Sequence, residues 1–426
     1  MFAAACGGGD DGGGEGADAR RFDAPGTPDA RTEGYLPGEI VWSVPLPLDV
    51  EHAPALAPDG TVVVQGQWDG EGSDGDTLVA VSADGTILWG EATLPGSVPA
   101  PPPTIDDGMV YASATTNVGG DLNALLHRVT LAGVASAPIA LTGPVGDGLA
   151  VGADGTLYVP ATPLHAIVGD GITWSAPMIG AGKTGSNAAV GPSGTIYVGA
   201  RGLEDHTVHA IAPDGHELWA TDVGAAVIDP IAIDRDEHVY ALNGDGTLVV
   251  LDSAGDVSWS LALDSGSSGG GMVLDPDGTV YVGTLSATPG DIAAEVLYAA
   301  RKGDGTAGVR VWARNVGYGA ITTTPALSSS GVLYVSDYCQ GLHAMRVSDG
   351  EILWTVEAAG REEDRCAPWS SPRLGPDGRV YAFSQGLGNG TGALVAIEGD
   401  GSGPAASAWP QQGGDAAHHA RVTPVD

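Results

Sequence analysis

Short apolar runs recur along the chain, each followed by a turn rich in Pro, Asp and Gly and then by a run of Tyr and β-branched residues. The clear copies are PALAPDGTVVVQG (54–66), LAVGADGTLYVPA (149–161), AAVGPSGTIYVGA (188–200), MVLDPDGTVYVGT (272–284), PALSSSGVLYVSD (325–337) and PRLGPDGRVYAFS (372–384), and the weaker ones are PTIDDGMVYASA (103–114) and IAIDRDEHVYALN (231–243). Because Pro fixes φ, Asp bonds local backbone groups and Gly takes the left-handed conformation, each copy predicts a β-hairpin.

A second hairpin follows in each unit. Its first strand reads, for example, LVAV (78–81) or LHAI (164–167), and its second strand in most units ends in Trp: Trp89, Trp174, Trp219, Trp259, Trp312 and Trp354. The second unit has AGVASA and no Trp. Eight units of four strands, spaced by roughly 40–50 residues, predict an all-β fold, an eight-bladed β-propeller. A seven-bladed ring is the alternative.

The segment PGEIVWSVPL (37–46) repeats DGEILWTVEA (349–358), the end of a unit, before any unit has begun. We therefore predict that Val41, Trp42, Ser43 and Val44 form the outermost strand of the eighth blade and close the ring. Trp409, in SAWPQQGGDAAHHAR, could claim the same place. The predicted organisation is a signal remnant and tether (1–36), a propeller (37–409) and a capping tail (410–426).

These units resemble the pyrroloquinoline-quinone-like (PQQ-like) repeats of quinoprotein dehydrogenases and of BamB-type outer-membrane assembly lipoproteins. The resemblance extends from about Pro37 to Trp409 and implies the propeller fold. The enzymes bind quinone and calcium in the axial channel beside a vicinal Cys-Cys disulfide, but Cys339 and Cys366 are far apart in sequence, and no C-x-x-C-H haem segment is present. The resemblance therefore implies a non-catalytic scaffold that binds other envelope proteins. A quinoprotein-type or other enzyme using the axial pocket and an extracytoplasmic ligand-binding sensor are the alternatives.

Net charge and the N-terminus suggest where such a protein works. With 53 acidic and 17 basic residues, a net charge of −36 makes nucleic acid a poor partner. The start, MFAAAC, resembles a bacterial lipoprotein with Cys6 as the lipid acceptor. Because the residues before Cys6 are fewer than the apolar core of about 7–15 residues in a signal peptide, either the true start lies upstream or Cys6 is an incidental thiol. We expect an exported monomer in the periplasm or at the cell surface, anchored to the outer membrane only through the lipid.

The remaining cysteines, Cys339 and Cys366, form an even pair that fits a disulfide in an exported chain. Their sequence positions place them near consecutive blades, so a bond is geometrically feasible. Two buried free thiols are the alternative, because sequence spacing does not fix the Cα separation of about 4.4–6.8 Å that a disulfide needs.

Histidines and acidic loops are the other candidate ligands. His127, His165, His209 and His343 share one slot of the third strand, where other units have Val or Tyr, so they should lie in different blades and pack between blades rather than bind one ion. His206 with His209, and His418 with His419, are interpreted as incidental surface histidines. The loops 69–76 and 234–237 lack EF-hand spacing and are interpreted as solvated turns, with a structural calcium site as the alternative. We predict no catalytic residue, cofactor or other metal.

Overall fold

The computed structural model describes residues 19–20, 35–50, 52–68, 75–95, 101–118, 121–146, 148–177, 185–200, 206–264, 266–284, 296–316, 321–357, 368–385 and 392–422. Within these ranges the regular structure is β-strand, arranged in eight antiparallel sheets around an axis. No helix in the described part of the chain has the length and apolar character needed to cross a membrane. The predicted eight-bladed β-propeller is confirmed, and the seven-bladed alternative is wrong.

Each blade has four strands, numbered here from the axis outwards. The strands are Ala55–Leu56, Val62–Trp68, Gly75–Val81 and Ile87–Pro95 in blade 1; Thr104–Asp106, Met109–Val118, Asp121–Thr130 and Ile139–Thr142 in blade 2; Ala150–Val151, Leu157–Pro160, Leu164–Val168 and Gly171–Ala176 in blade 3; Gly185–Val190, Ile196–Ala200, Thr207–Ile211 and Glu217–Asp222 in blade 4; Ala232–Ile233, Val239–Leu242, Thr247–Leu251 and Val257–Ala262 in blade 5; Ser267–Leu274, Val280–Thr284, Val296–Lys302 and Gly308–Asn315 in blade 6; Ala326–Leu327, Val332–Ser336, Gly341–Arg346 and Ile352–Glu357 in blade 7; and Arg373–Leu374, Arg379–Ser384, Gly392–Glu398 and Ile40–Leu46 in blade 8. Two further short strands pair with blades 1 and 7, Leu48–Asp49 and Ala19–Arg20 respectively.

The turn between the first and second strands forms as its sequence predicts. In blade 1 the Asp59 carboxylate accepts a hydrogen bond of 2.9 Å from the Thr61 backbone N–H, and Gly60 has a φ of 86°. Because neighbouring blades pack against both faces of each sheet, strands such as Val239–Leu242 are buried along their whole length. The apolar core therefore lies between the blades.

The N-terminal strand closes the ring. Ile40–Leu46 pairs antiparallel with Gly392–Glu398, with Trp42 opposite Ala396 and Val44 opposite Leu394. The N-terminal segment, and not the segment around Trp409, therefore forms the outermost strand of blade 8. The two ends of the described propeller are held together in one sheet, as the repeated segment at 37–46 predicts.

Tryptophans of the fourth strands connect one blade to the next. Trp42 of blade 8 donates a hydrogen bond of 2.9 Å from Nε1 to the Ala83 carbonyl of blade 1 and packs against Tyr381 of its own blade, with the ring planes tilted by 50°. Gly85 lies against the indole, where an added Cβ would come within 2.9 Å of the ring, so only glycine fits. Four other tryptophans of fourth strands donate the same indole hydrogen bond to a carbonyl of the next blade: Trp89 to Leu131, Trp174 to Pro213, Trp219 to Ser253 and Trp312 to Val347.

Blade 2, which has Ala137 at the tryptophan position, is joined to blade 3 by an arginine. Arg128 of its third strand donates from Nη2 to the Ala137 carbonyl at 3.0 Å and from Nη1 to the Gly169 carbonyl of blade 3 at 3.2 Å. Its guanidinium also forms an ion pair with Asp170 of blade 3. Arg128 therefore makes the contact between blades that an indole makes elsewhere.

Replacing Arg128 with alanine should lower the free energy of unfolding by about 2 kcal/mol, because two carbonyls and a carboxylate lose a charged donor. Urea denaturation measures the loss. Arg301→Ala removes an exposed arginine from a third strand and should change stability by no more than about 0.5 kcal/mol. Equal stabilities of the two variants would contradict this role for Arg128.

Candidate functional site

The inner strands of the blades form an unusual set of backbone donors around the axis. A first strand has a sheet neighbour on one side only, so its other edge faces the axis with N–H groups unpaired by the blade. Residues 404–422, here called the axial segment, run along these edges. Among the described residues, seven of the eight first strands donate an N–H to it at 2.8–2.9 Å: Leu274 to the Trp409 carbonyl, Leu327 to Pro410, Leu374 to Gln411 Oε1, Leu56 to Ala416, Ile105 to Ala417, Val151 to His419 and Val190 to Ala420.

The axial segment passes the blades in ring order, from blade 6 through blades 7, 8, 1, 2 and 3 to blade 4. It lies at the end of the channel where first and second strands are joined. Trp409 is buried, in the same apolar cluster as Ile233 and Leu274 of the inner strands. The chain therefore fills this end of its own channel with main-chain carbonyls and a large aromatic side chain.

Arg373 fixes the middle of the axial segment. Its fully buried guanidinium donates to the Pro54 carbonyl at 2.9 Å, to the Asp415 carbonyl at 2.7 Å, to the Gln412 carbonyl, and to His418 Nδ1 at 2.9 Å. Burial lowers the pKa of Arg373 to about 10, so it stays protonated at neutral pH. One cation thus bonds three carbonyls and an imidazole, and holds the axial segment against blades 8 and 1.

Two adjacent histidines of the axial segment have opposite electrostatic environments. Burial, followed by the charge of Arg373, lowers the pKa of His418 well below its usual value, so His418 is neutral and accepts the arginine hydrogen bond. Burial also opposes a charge on His419, but Asp415, 2.6 Å from Nδ1, outweighs it and raises that pKa. Asp106 of blade 2 lies 3.2 Å from His419 Nε2 and acts in the same direction.

The two shifts predict opposite effects of pH on stability. His418 has a lowered pKa, so its contribution is lost as pH falls below its unfolded value of about 6.5. His419 has a raised pKa, so its contribution is complete below pH 6.5 and is lost as pH rises through the folded pKa. In a profile of melting temperature against pH, His419→Asn should reduce the fall in melting temperature above pH 6.5. The fall in melting temperature below pH 6.5 should remain as in the wild type.

His216→Asn, at an exposed histidine, controls for removal of an imidazole. If His419→Asn kept the full wild-type loss at alkaline pH, the ion pair with Asp415 would not contribute as proposed.

His418 and His209 are both buried, so the expectation that they are incidental surface histidines is wrong. His418 is buried because the axial segment lies against the inner strands, although its sequence carries no strand pattern. His209 is buried because it lies in the third strand of blade 4. His419 is half-buried between two carboxylates.

The four histidines that share a slot lie in blades 2, 3, 4 and 7, each with its own surroundings. His165 bonds Ser175 Oγ, His209 bonds Glu217, and His343 bonds Thr355 Oγ1 and the buried Asp337 carboxylate. His127 has no hydrogen-bond partner for Nε2 among the described residues, and burial lowers its pKa to about 4. No group of three or more His, Cys, Asp and Glu with metal-binding geometry occurs in the described part of the chain.

Replacing two of these histidines with valine, which occupies the slot in blades 1, 5 and 8, should give opposite results. His127→Val removes a buried imidazole with an unpaired nitrogen and should leave stability unchanged or raise it by about 1 kcal/mol. His343→Val leaves the buried Asp337 carboxylate without its imidazole and should lower stability by about 3 kcal/mol. Chemical denaturation of both variants tests the pair, and a similar loss in each would contradict the distinction.

The acidic and cysteine candidates are only partly within the described residues. Asp234 of the 234–237 turn accepts hydrogen bonds from the backbone N–H groups of Asp236 and His238, as expected for a turn residue. Most of the 69–76 loop lies outside the described residues, so its solvated-turn and calcium interpretations stay predictions. Cys339 forms a disulfide. Its partner lies outside the described residues, as do Cys366 and Cys6, so the pairing with Cys366 and the lipidation of Cys6 also stay predictions.

Sequence reasoning missed Arg373, the residue that holds the axial segment. A signal was present, because the unit PRLGPDG places arginine at the slot that is alanine in five other units, at Ala55, Ala150, Ala189, Ala232 and Ala326. A charged residue in place of a buried alanine in an inner strand requires acceptors on the axis. What the sequence does not reveal is that the tail supplies them.

These features define a PQQ-like repeat β-propeller whose axis is filled at one end by its own C-terminal segment. A family model described as "Outer membrane protein assembly factor BamB" matches residues 33–129 and 128–296, more than half of the chain, and the chain belongs to this family of PQQ-like repeat propellers. None of the curated protein sequences compared with the chain matches it significantly.

Three solved structures share the fold. BamB from Moraxella catarrhalis has 16% identity and a TM-score of 0.59, with 84% of this chain and 100% of that one covered. The computationally designed Ika8 protein has 14% identity and a TM-score of 0.60, with 82% and 96% covered. Quinohemoprotein alcohol dehydrogenase from Comamonas testosteroni has 14% identity and a TM-score of 0.59, with 86% and 77% covered. At these identities the similarity concerns the fold, which hosts both a protein named as BamB and an enzyme.

Proposed function

We propose that this chain is a non-catalytic scaffold of the cell envelope that binds other proteins through the exposed surfaces of its propeller. The observation that carries the proposal is the axial segment, which fills one end of the channel with the chain's own carbonyls and Trp409. Membership of the family described as BamB supports a role in envelope protein assembly. Small-molecule chemistry in an axial pocket would require the other end of the channel.

The disulfide at Cys339 supports an oxidising compartment, since such bonds persist mainly in exported proteins. Lipidation of Cys6 would then anchor the propeller to a membrane. The acidic surface of the protein would favour partners with basic patches. If Cys6→Ser did not change the fraction of the protein recovered with membranes, the anchor would be excluded.

One turn on the face opposite the axial segment suits partner binding. Asp337 accepts backbone hydrogen bonds from Cys339 at 2.9 Å and from Gly341 at 3.1 Å, and it also contacts His343, so the turn is held by buried groups and a disulfide. Tyr338 at its tip is 45% exposed. A rigid, exposed aromatic side chain loses little conformational entropy on binding and is a frequent anchor in protein interfaces.

Site-specific photo-crosslinking in the native envelope tests the proposal. Tyr338→p-benzoylphenylalanine should yield a discrete adduct with an envelope protein, identified by mass spectrometry. The matched control is the same replacement at Val134, which is 64% exposed in a turn on the axial-segment side of blade 2. Adducts of equal yield and identity at both positions, or none at Tyr338, would contradict docking at this face. Reduction of an electron-acceptor dye on addition of PQQ and calcium would contradict the non-catalytic role.

A further inference from the structure

We propose that the inner ends of the blades form a binding site for a peptide that turns around the axis, and that the axial segment is its resident ligand, bound within the same chain. The proposal rests on the geometry around the axis and is independent of the envelope role. It assigns a recognition function to residues that would otherwise be regarded as the end of the fold.

Main-chain hydrogen bonds connect the axial segment to the blades. Seven inner strands each present one N–H group at the same position. Backbone carbonyls of the axial segment accept six of these hydrogen bonds, and the Gln411 side chain accepts the seventh. Main-chain hydrogen bonds to free strand edges give peptide-binding domains an affinity that does not depend on sequence. The axial segment uses such bonds one blade at a time and turns between them, with the Ala420 N–H donating to the Gly413 carbonyl within the segment. Here the edges belong to several blades and surround a single peptide.

Three side-chain contacts supply the specificity of this site. Trp409 is 2% exposed in the apolar cluster of the inner strands and acts as the anchor. Arg373 requires two carbonyls and the neutral imidazole of His418 in fixed positions. Asp106 of blade 2 pairs with His419. The ligand class is therefore a turn-forming peptide with a tryptophan near its start, a Gly-Gly turn in its middle and a histidine pair near its end.

The axial segment is separable from the blades along the chain. The last strand of blade 8 in chain order ends at Glu398, and no blade strand follows it in the described residues. In the connection GDGSG (399–403), Asp400 is held to blade 7 by Ser328 at 2.8 Å, and the next residue, Gly401, is exposed. A break after Gly401 would thus leave every described blade complete and make the axial segment a separate peptide.

The experiment inserts a site-specific protease sequence after Gly401 and cuts the folded, full-length protein. The released peptide should co-elute with the propeller in gel filtration. Excess synthetic peptide of residues 402–426 should then raise the melting temperature of the cut protein, because a ligand that binds only the folded state stabilises it by mass action. The same peptide should not change the melting temperature of the uncut protein, whose site is already filled.

Matched peptides and a matched propeller define the specificity. A peptide with Trp409→Ala should bind at least about ten-fold more weakly, and a scrambled peptide should not bind. A cut propeller with Arg373→Met should also bind the wild-type peptide more weakly, whereas Arg379→Met, in the next strand, should not.

Several results would overturn the proposal. One is a cut protein whose melting temperature does not respond to excess peptide. Another is a scrambled peptide that stabilises as well as the wild-type sequence. These outcomes are readable even if the propeller without its segment is poorly folded, because the cut complex contains both parts. They are also distinguishable from failure of the crosslinking experiment, which probes the opposite face.

Discussion

Replacing Arg373 with methionine should lower the free energy of unfolding by about 3–5 kcal/mol, the loss typical of removing one partner from a buried charged network. The guanidinium is fully buried and its acceptors stay in place after the substitution. The carbonyls of Pro54, Gln412 and Asp415 would each lose a charged donor in a site closed to water. Methionine fills much of the volume, so the loss reports on hydrogen bonding more than on a cavity.

Arg379→Met is the matched control in the adjacent strand. Arg379 is partly exposed and lies 3.6 Å from Glu398 and 3.9 Å from Asp377, as a surface ion pair worth no more than about 1 kcal/mol. Urea denaturation with two probes gives both values, and hydrogen exchange at the inner-strand amides should rise in Arg373→Met alone. If both variants lost the same small amount, Arg373 would not hold the axial segment.

The parts of this molecule that the sequence predicts are those that repeat. Each hairpin turn depends on residues close in sequence, such as Asp59 and Gly60, so the local pattern determines its geometry and eight copies reinforce one another. Ring closure was also predictable, since Trp42 keeps the spacing from Gly38 that Trp354 keeps from Gly350. Repetition thus reveals both the blade and the piece of a blade that is displaced along the chain.

The candidate site could not be predicted in the same way, because it depends on contacts between residues far apart in sequence. Arg373 donates to Pro54, more than three hundred residues earlier, and to the tail. The axial segment has no periodicity of its own, since its conformation is imposed by N–H groups that belong to seven blades. The role of Arg128 was not predicted for a related reason. Its side chain makes the contact with blade 3 that a tryptophan makes in other blades, and the sequence shows only that blade 2 has no tryptophan.

Among the fourth strands whose tryptophan makes the same contacts, the closing strand should contribute most to the stability of the propeller. Trp42→Ala should lower the free energy of unfolding by about 3–5 kcal/mol, as expected for truncating a buried tryptophan. Its strand has no turn connecting it to blade 8, so sheet pairing and the Trp42 contacts with Tyr381 and Ala83 hold this strand in the ring. Loosening them opens the joint between blades 8 and 1 and exposes the apolar cluster that fills it.

Trp312→Ala is the matched control, because Trp312 is 7% exposed like Trp42 and makes the same tilted contact with a tyrosine and the same bond to the next blade, but its strand is tied to blade 6 by a hairpin. Calorimetry should show a smaller loss for Trp312→Ala. Deletion of residues 38–46 should destabilise the whole propeller more than either substitution, since it leaves the third strand of blade 8 as an open edge. Equal losses in the two alanine variants would mean that the closing strand contributes no more than a fourth strand within the ring. A larger loss for Trp42→Ala would show that this propeller depends on the pairing of two distant parts of its chain.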